Sequence, residues 1–269
     1  MHIRQRLGFV GLALILTLTA GACSRNATPP PEKRHVFVIV MENKSVEQAL
    51  QGPFTASLAS KYRMAANYSA VAHPSLPNYL ALVSGSTHGI AVDCTRCAIS
   101  ARNLADTLEA AGRTWRTYAE GYPASPRYAK KHNPFLYFTD VASRPQRLAR
   151  IVPLSLFDPK RLPDFSLVVP DLCHDMHDCS VSTGDAWLAR FVPPLLGKGV
   201  VFVIFDEGAT SEGGGGHVAA LALGAAVRPH STFVAPTSHY GLLRTIEDAW
   251  GLRRLGETKK TPAITGIWR

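Results

Sequence analysis

Three apolar runs in this chain of 269 residues end abruptly near acids. Val36–Met41 leads into Glu42 and Asn43, Ser166–Val169 is followed by Asp171, and Val200–Phe205 runs into the adjacent pair Asp206 and Glu207. Carboxylates gathered in one place resist ionising together unless a cation neutralises them. A divalent metal ion is therefore the chemistry these junctions point to. Oxygen ligands suit hard cations such as Mg²⁺, Mn²⁺ or Ca²⁺, with zinc as the softer alternative. A second feature is Ser75, followed by Leu76-Pro77 and a helical run from Asn78 to Ser84. Serine and proline in that order mark a helix start. Free N–H groups and the helix dipole favour an anion there. Ser75 is thus either a plain N-cap or a nucleophile whose alkoxide is stabilised by the helix end and a metal.

These residues need elements to position them. The runs Val36–Met41, Ser166–Val169, Val200–Phe205 and Val218–Leu223 read as strands buried on both faces, as in a parallel sheet. Helical patterns lie between them, over 103–112, 183–197 and 237–252, each ending on or near a glycine. The alternation predicts an α/β three-layer fold with a mostly parallel central sheet. In such sheets ligands bind outside the carboxyl ends of the strands, where the junction acids would project.

The N-terminus has its own logic. Arg4 and Arg6 precede the apolar stretch Leu7–Ala20, and small residues lead to Cys23. This reads as a signal peptide over 1–22. Residues 23–34 then form a polar, proline-rich tether lipidated on Cys23, and 35–269 a single catalytic domain. The expected location is the periplasm or cell surface, with a lipid holding the chain to a bacterial membrane. With Cys23 acylated, Cys94, Cys97, Cys173 and Cys179 remain, an even set that favours disulfides over a zinc site in an oxidising compartment. Sequence neighbours suggest Cys94–Cys97 and Cys173–Cys179, although four cysteines allow three pairings. The formal charge is +9, of which two positive charges belong to the signal segment. No basic run is interleaved with aromatics, so nucleic acid is not an expected partner. The excess suits an anionic substrate or membrane surface. Composition is silent on oligomeric state.

The segments VFVIVMENKS, HPSLPNYLALVSGSTHGI, YAKKHNPF, VVPDLCHDMHDCSVSTGDAWL, VVFVIFDEG and GGGGHVAALALG together resemble the phosphoesterase family that includes bacterial acid phosphatases and phospholipases C. That family belongs to the alkaline phosphatase superfamily, and the match runs from about Val36 to Leu252. The resemblance implies a metal site of Glu42, Asn43, Ser75, Asp206 and Glu207, with Asp175 as a further ligand and Ser75 as nucleophile. It also implies phosphate contacts from Asn43, Asp93, Lys131 and His132. Asp171 and Asp206 are not followed by the histidines of two-zinc members, so His177 and His217 are expected to replace a second metal, one acting as general acid. His73 is expected to stabilise its turn and His239 to be structural. Gly213–Gly216 reads as a mobile loop beside the site.

The expected activity is metal-dependent hydrolysis of phosphate monoesters, as in acid phosphatases, through a phosphoserine intermediate. Rivals are a phosphodiesterase or phospholipase C acting on phospholipid head groups, a sulfatase-type hydrolase, whose motif is missing, and a non-catalytic surface lipoprotein on the same fold.

Overall fold

The computed structural model describes residues 35–268. The signal segment, the tether and Cys23 lie outside the described residues. Ten strands are present among the described residues: β1 (His35–Met41), β2 (Arg63–Ala65), β3 (Tyr68–Ser69), β4 (Trp115–Ala119), β5 (Ile151–Pro153), β6 (Phe165–Val169), β7 (Gly199–Phe205), β8 (Ala220–Leu223), β9 (Ser231–Phe233) and β10 (Thr237–Ser238). Eight of them form one sheet in the order β5-β4-β6-β1-β7-β8-β2-β9. All pairings in it are parallel except those of β8 with β7 and β2. The fold is therefore α/β around a mostly parallel eight-stranded sheet, as expected.

The central strands explain themselves. Every residue of β7 and β6, and all of β1 after His35, is buried. A strand covered on both faces needs side chains that are almost all apolar, and Val, Ile and Phe supply most of them, Ser166 being the polar exception. The helices are α1 (Val46–Ala49), α2 (Pro53–Lys61), α3 (Ser75–Ser84), α4 (Leu104–Ala110), α5 (Thr139–Ala142), α6 (Pro145–Leu148), α7 (Val181–Phe191) and α8 (His239–Trp250). α3 packs on α8, and α2 on α7.

Several boundaries shift from those expected, each for a local reason. The helix read over 183–197 starts earlier, because Ser180 is its N-cap and its Oγ accepts the Thr183 N–H. It stops at Phe191, where the prolines at 193 and 194 prevent continuation. The pattern over 237–252 loses its first two residues to β10, which pairs with β3. The 103–112 pattern gives α4, capped by Asn103 accepting from Ala105 N. Val218 and Ala219 precede β8 rather than belonging to it, and Val218 bridges to Ser45. Gly213–Gly216 is not a free loop. It packs against residues 69–72, so that a Cβ at Gly213 would meet Ser69, and one at Gly215 the Ala72 carbonyl oxygen. Both anticipated disulfides, Cys94–Cys97 and Cys173–Cys179, are formed.

Candidate active site

β1 and β7 are neighbours in register from His35–Gly199 to Met41–Phe205, so the residues that follow them emerge side by side. Glu42 and Asp206 are fully buried, and Glu207 nearly so. Asn43 adopts a left-handed backbone (φ 54), which asparagine tolerates better than most residues. This turns its N–H onto Asp206 Oδ1 at 3.1 Å.

Ser75 is the first residue of α3 rather than its cap, a position held by Pro74. The turn before it is locked by Asn78, whose Oδ1 accepts the Val71 and Ala72 N–H groups and whose amide donates to Ala72 and Pro74 carbonyls. The buried Ser75 hydroxyl lies 3.2 Å from Glu42 Oε2 and 3.2 Å from Glu207 Oε1. Its single proton serves two acids. One turn along α3, the Tyr79 hydroxyl donates to Glu42 Oε1 at 2.6 Å.

The segment 173–179, closed by its disulfide, is stitched to the end of β1: Glu42 N–H donates to the Asp175 carbonyl (2.8 Å), and Lys44 Nζ to that of Met176 (2.8 Å). Asp175 thereby reaches the acids. Between them stands His132, stacked on Tyr79 with ring centroids 5.0 Å apart. Its Nε2 is 3.1 Å from Glu42 Oε1 and its Nδ1 3.4 Å from Asp175 Oδ2. His132 is thus buried among carboxylates, not displayed in a solvated loop.

Charge is crowded here. Burial, then the charges of Asp206 and Asp175, hold the Glu42 carboxyl well above the usual range. Burial and Glu207 raise Asp206, and burial raises Asp175. Burial, helped by the charge of Lys131, pushes His132 well below an ordinary imidazole, so it is neutral with a lone pair available. His132 Nε2, Asp175 Oδ2 and Asp206 Oδ2 are buried without a hydrogen-bond partner. Buried polar atoms rarely stay unpaired. Ligand atoms of Glu42, His132 and Asp175 lie within 4.8 Å of one another, a spacing that could hold a metal ion. Carboxylates with one neutral imidazole fit a divalent cation. The imidazole widens the all-oxygen set expected from sequence towards Mn²⁺ and Zn²⁺.

The other candidates are placed as follows. Asp93 accepts the Leu76 N–H (3.0 Å), next to Ser75, and pairs with Lys131 Nζ (2.8 Å). Burial works against the Lys131 ammonium, but Asp93, Glu42 and Asp206 outweigh it and hold its pKa above the usual lysine value. His177 sits at the edge, its ring 5.9 Å from that of His132 and its Nδ1 on Asp178. His217 is turned away, with Nε2 on the Ala66 carbonyl at 2.9 Å. Asp171 joins a separate group with Glu120 and His174, hydrogen-bonded among themselves. His239 is buried between Tyr68 and the Asp206 carbonyl, where burial lowers its pKa to about 4. Sequence reasoning missed two residues. His73 Nδ1 is hydrogen-bonded to Glu207 Oε2, and Tyr79 holds Glu42. Tyr79 had a signal: at i+4 from Ser75 it shares a helix face with it.

The mostly parallel sheet is shared with solved structures of the alkaline phosphatase superfamily. A member of that superfamily from Vibrio parahaemolyticus has the same fold, with a TM-score of 0.63 over 88% of this chain and 72% of that one at 14% identity. The chain belongs to the Phosphoesterase family, whose profile matches residues 48–253, and is a phosphoric ester hydrolase. It is 36% identical over 263 residues to a phosphatidylinositol-3-phosphatase of Mycobacterium tuberculosis, covering 90% of this chain and 85% of that one. It is also 29% identical to a phosphate-repressible acid phosphatase of Penicillium chrysogenum, spanning 81% of this chain but only 59% of the fungal protein.

Proposed function

We propose that the chain is a divalent-metal-dependent phosphomonoesterase that works through a phosphoserine at Ser75. One observation carries the reading: the Ser75 hydroxyl is held between Glu42 and Glu207 in a buried wall that also contains three unpaired polar atoms. Glu42, Asp206, Glu207, Asp175 and His132 would hold the cation, with Ser75 and Asn43 beside them. When bound, the cation lowers the serine pKa and neutralises charge on the phosphoryl group.

The chain's own residues do the rest. Glu42 and Glu207 orient the hydroxyl, and one of the two takes up its proton as Oγ attacks phosphorus in line. The bond to the leaving alcohol breaks, and the alcohol leaves protonated by water or a histidine. Lys131 and the N-terminal turn of α3 supply positive potential for the phosphoryl oxygens. Water then attacks the phosphoserine from the opposite side, releasing phosphate and restoring Ser75.

The similarity to the mycobacterial enzyme makes a phosphoinositide monoester the first substrate to assay. Residues 1–34 support export and a lipid on Cys23; Cys23→Ser should then release the protein from the membrane fraction.

The test is a panel of phosphomonoesters, phosphodiesters and sulfate esters, with and without chelator. Parent protein should hydrolyse monoesters, lose activity in EDTA and recover with Mn²⁺, Mg²⁺ or Zn²⁺. Ser75→Ala should lower turnover by several orders of magnitude while metal and fold survive, whereas loss of a mere helix-end contact would cost about 1 kcal/mol of stability and little rate. Phosphate trapped on a Ser75 peptide would support the intermediate. Full activity of metal-free protein, or near-parental turnover by Ser75→Ala, would overturn the mechanism. Preference for diesters would move the assignment to a phosphodiesterase.

A further inference from the structure

At the opposite end of the sheet from Ser75, the residues entering β4, β5 and β6 enclose a cleft of about 450 Å³. Arg116, Arg150 and Arg161 line it together with Thr114, Trp115, Leu162 and Pro163. We propose that this arginine cleft is a second binding site, for a phosphate-bearing anion, separate from the catalytic centre.

Three arginines line one cleft and repel each other; the Arg116 guanidinium lies over the Tyr118 ring (5.9 Å) and that of Arg150 over the Trp115 ring (5.8 Å), contacts that leave the positive charge in place. Among the described residues, Arg116 and Arg161 form no ion pair. Arg150 approaches one acid, Glu109, only to 3.7 Å, and its Nε is buried without a hydrogen-bond partner. The nearby acids are already engaged. Glu109 accepts from Trp115 Nε1 (2.8 Å) and from Arg147 (2.7 Å), and Asp164 accepts from Thr114 N (2.8 Å) and Oγ1 (2.7 Å) and pairs with Arg113. The cleft therefore keeps a net positive charge on a rigid frame of strand ends and a buried tryptophan.

Guanidinium is planar and always protonated, and its paired N–H donors match the oxygens of a phosphate group. Three of them around one space suit a dianion better than a single carboxylate. The strand directions keep the two sites apart: β4 runs from Trp115 beside the cleft to Ala119 on the catalytic edge, about 13 Å at the usual rise of a strand. The phosphate group can come from a free anion or from a lipid head group, and the two sources are separable by experiment.

Full-length parent and the Arg116→Gln/Arg161→Gln variant are titrated calorimetrically with inorganic pyrophosphate at low salt. Both are also floated with phosphatidylcholine vesicles that contain or lack phosphatidylglycerol. The metal site and the N-terminal segment are the same in both proteins, so differences report the cleft alone. The variant should turn over a soluble phosphomonoester at the parental rate. It should lose the salt-sensitive binding component by about tenfold or more, as expected from removing charge-assisted hydrogen bonds. Loss in the pyrophosphate arm identifies a free phosphate anion as sufficient. Loss confined to anionic vesicles identifies the lipid head group. Equal binding of both probes by both proteins would overturn the proposal. Arg161 is exposed, so Arg161→Glu provides a fold-safe second variant, which should weaken the same component.

Discussion

At the scale of single residues, Tyr79 is the most informative side chain that the catalytic reading leaves without a chemical step. It donates to Glu42 and stacks on His132, so it fixes two candidate metal ligands at once. Groups that hold a ligand in place typically affect metal affinity by tenfold or more. Tyr79→Phe keeps the ring and deletes the donor. It should weaken binding of Mn²⁺ by about tenfold in a direct titration, with little change in stacking. Unchanged affinity would reduce Tyr79 to a core residue. His132→Ala should be more severe, because it removes a candidate ligand atom and opens a gap between Glu42 and Asp175. The acids Glu42, Asp206 and Glu207 were legible because each terminates a buried run, where only the strand's end can present them. Asp175 was named through the family resemblance, but His132 and His73 were not legible in these positions. Their neighbours are decided by how distant loops fold over the sheet edge, which no local spacing records.

At the scale of elements, the helices are tied to one another by single buried groups. Asp185, in α7, accepts Phe54 N (2.9 Å), Thr55 N (2.8 Å) and Thr55 Oγ1 (2.7 Å), and so caps the start of α2 from another helix. A Cβ at Gly52 would collide with that carboxylate. Asp185→Ala should destabilise the fold by about 2–3 kcal/mol, the cost of stranding buried donors that faced a charge. Thermal melting would show it, while kcat measured at low temperature should hold. The glycine run makes the opposite point about legibility. Four glycines read as freedom from sequence alone, yet here they permit close approach to residues 69–72, just before Ser75. Gly215→Ala should force that segment outward and lower both melting temperature and turnover. The sheet itself was readable because strands buried on both faces are apolar at nearly every position, Ser166 of β6 being an exception. Helix ends were less so, since Ser180 and the prolines at 193 and 194 set them against the apolar pattern.

At the scale of the whole molecule, stability should carry a pH signature set far from the catalytic edge. Glu247 of α8 is fully buried; its Oε1 accepts Leu255 N at 2.9 Å and its Oε2 has no partner. Burial raises its pKa from 4.5 to about 7. Between those values the folded chain holds a proton that the unfolded chain has released. This contribution to stability is therefore present at low pH, falls as pH rises through the window, and stays lost above about 7. Glu247→Gln keeps the Oε1 acceptor and removes the titration. Its melting temperature relative to parent should climb from pH 4 to pH 7 and then level off; a constant difference would refute the assignment. The strand order has a practical corollary. β1 enters at His35, which rests its Nδ1 on the Pro163 carbonyl at one pole of the sheet, and delivers Glu42 at the other, about 23 Å away. Anything attached ahead of His35, whether a resin, a sensor chip or a second protein, therefore leaves the catalytic mouth pointing outward. Immobilisation through that end should preserve kcat/KM on soluble substrates.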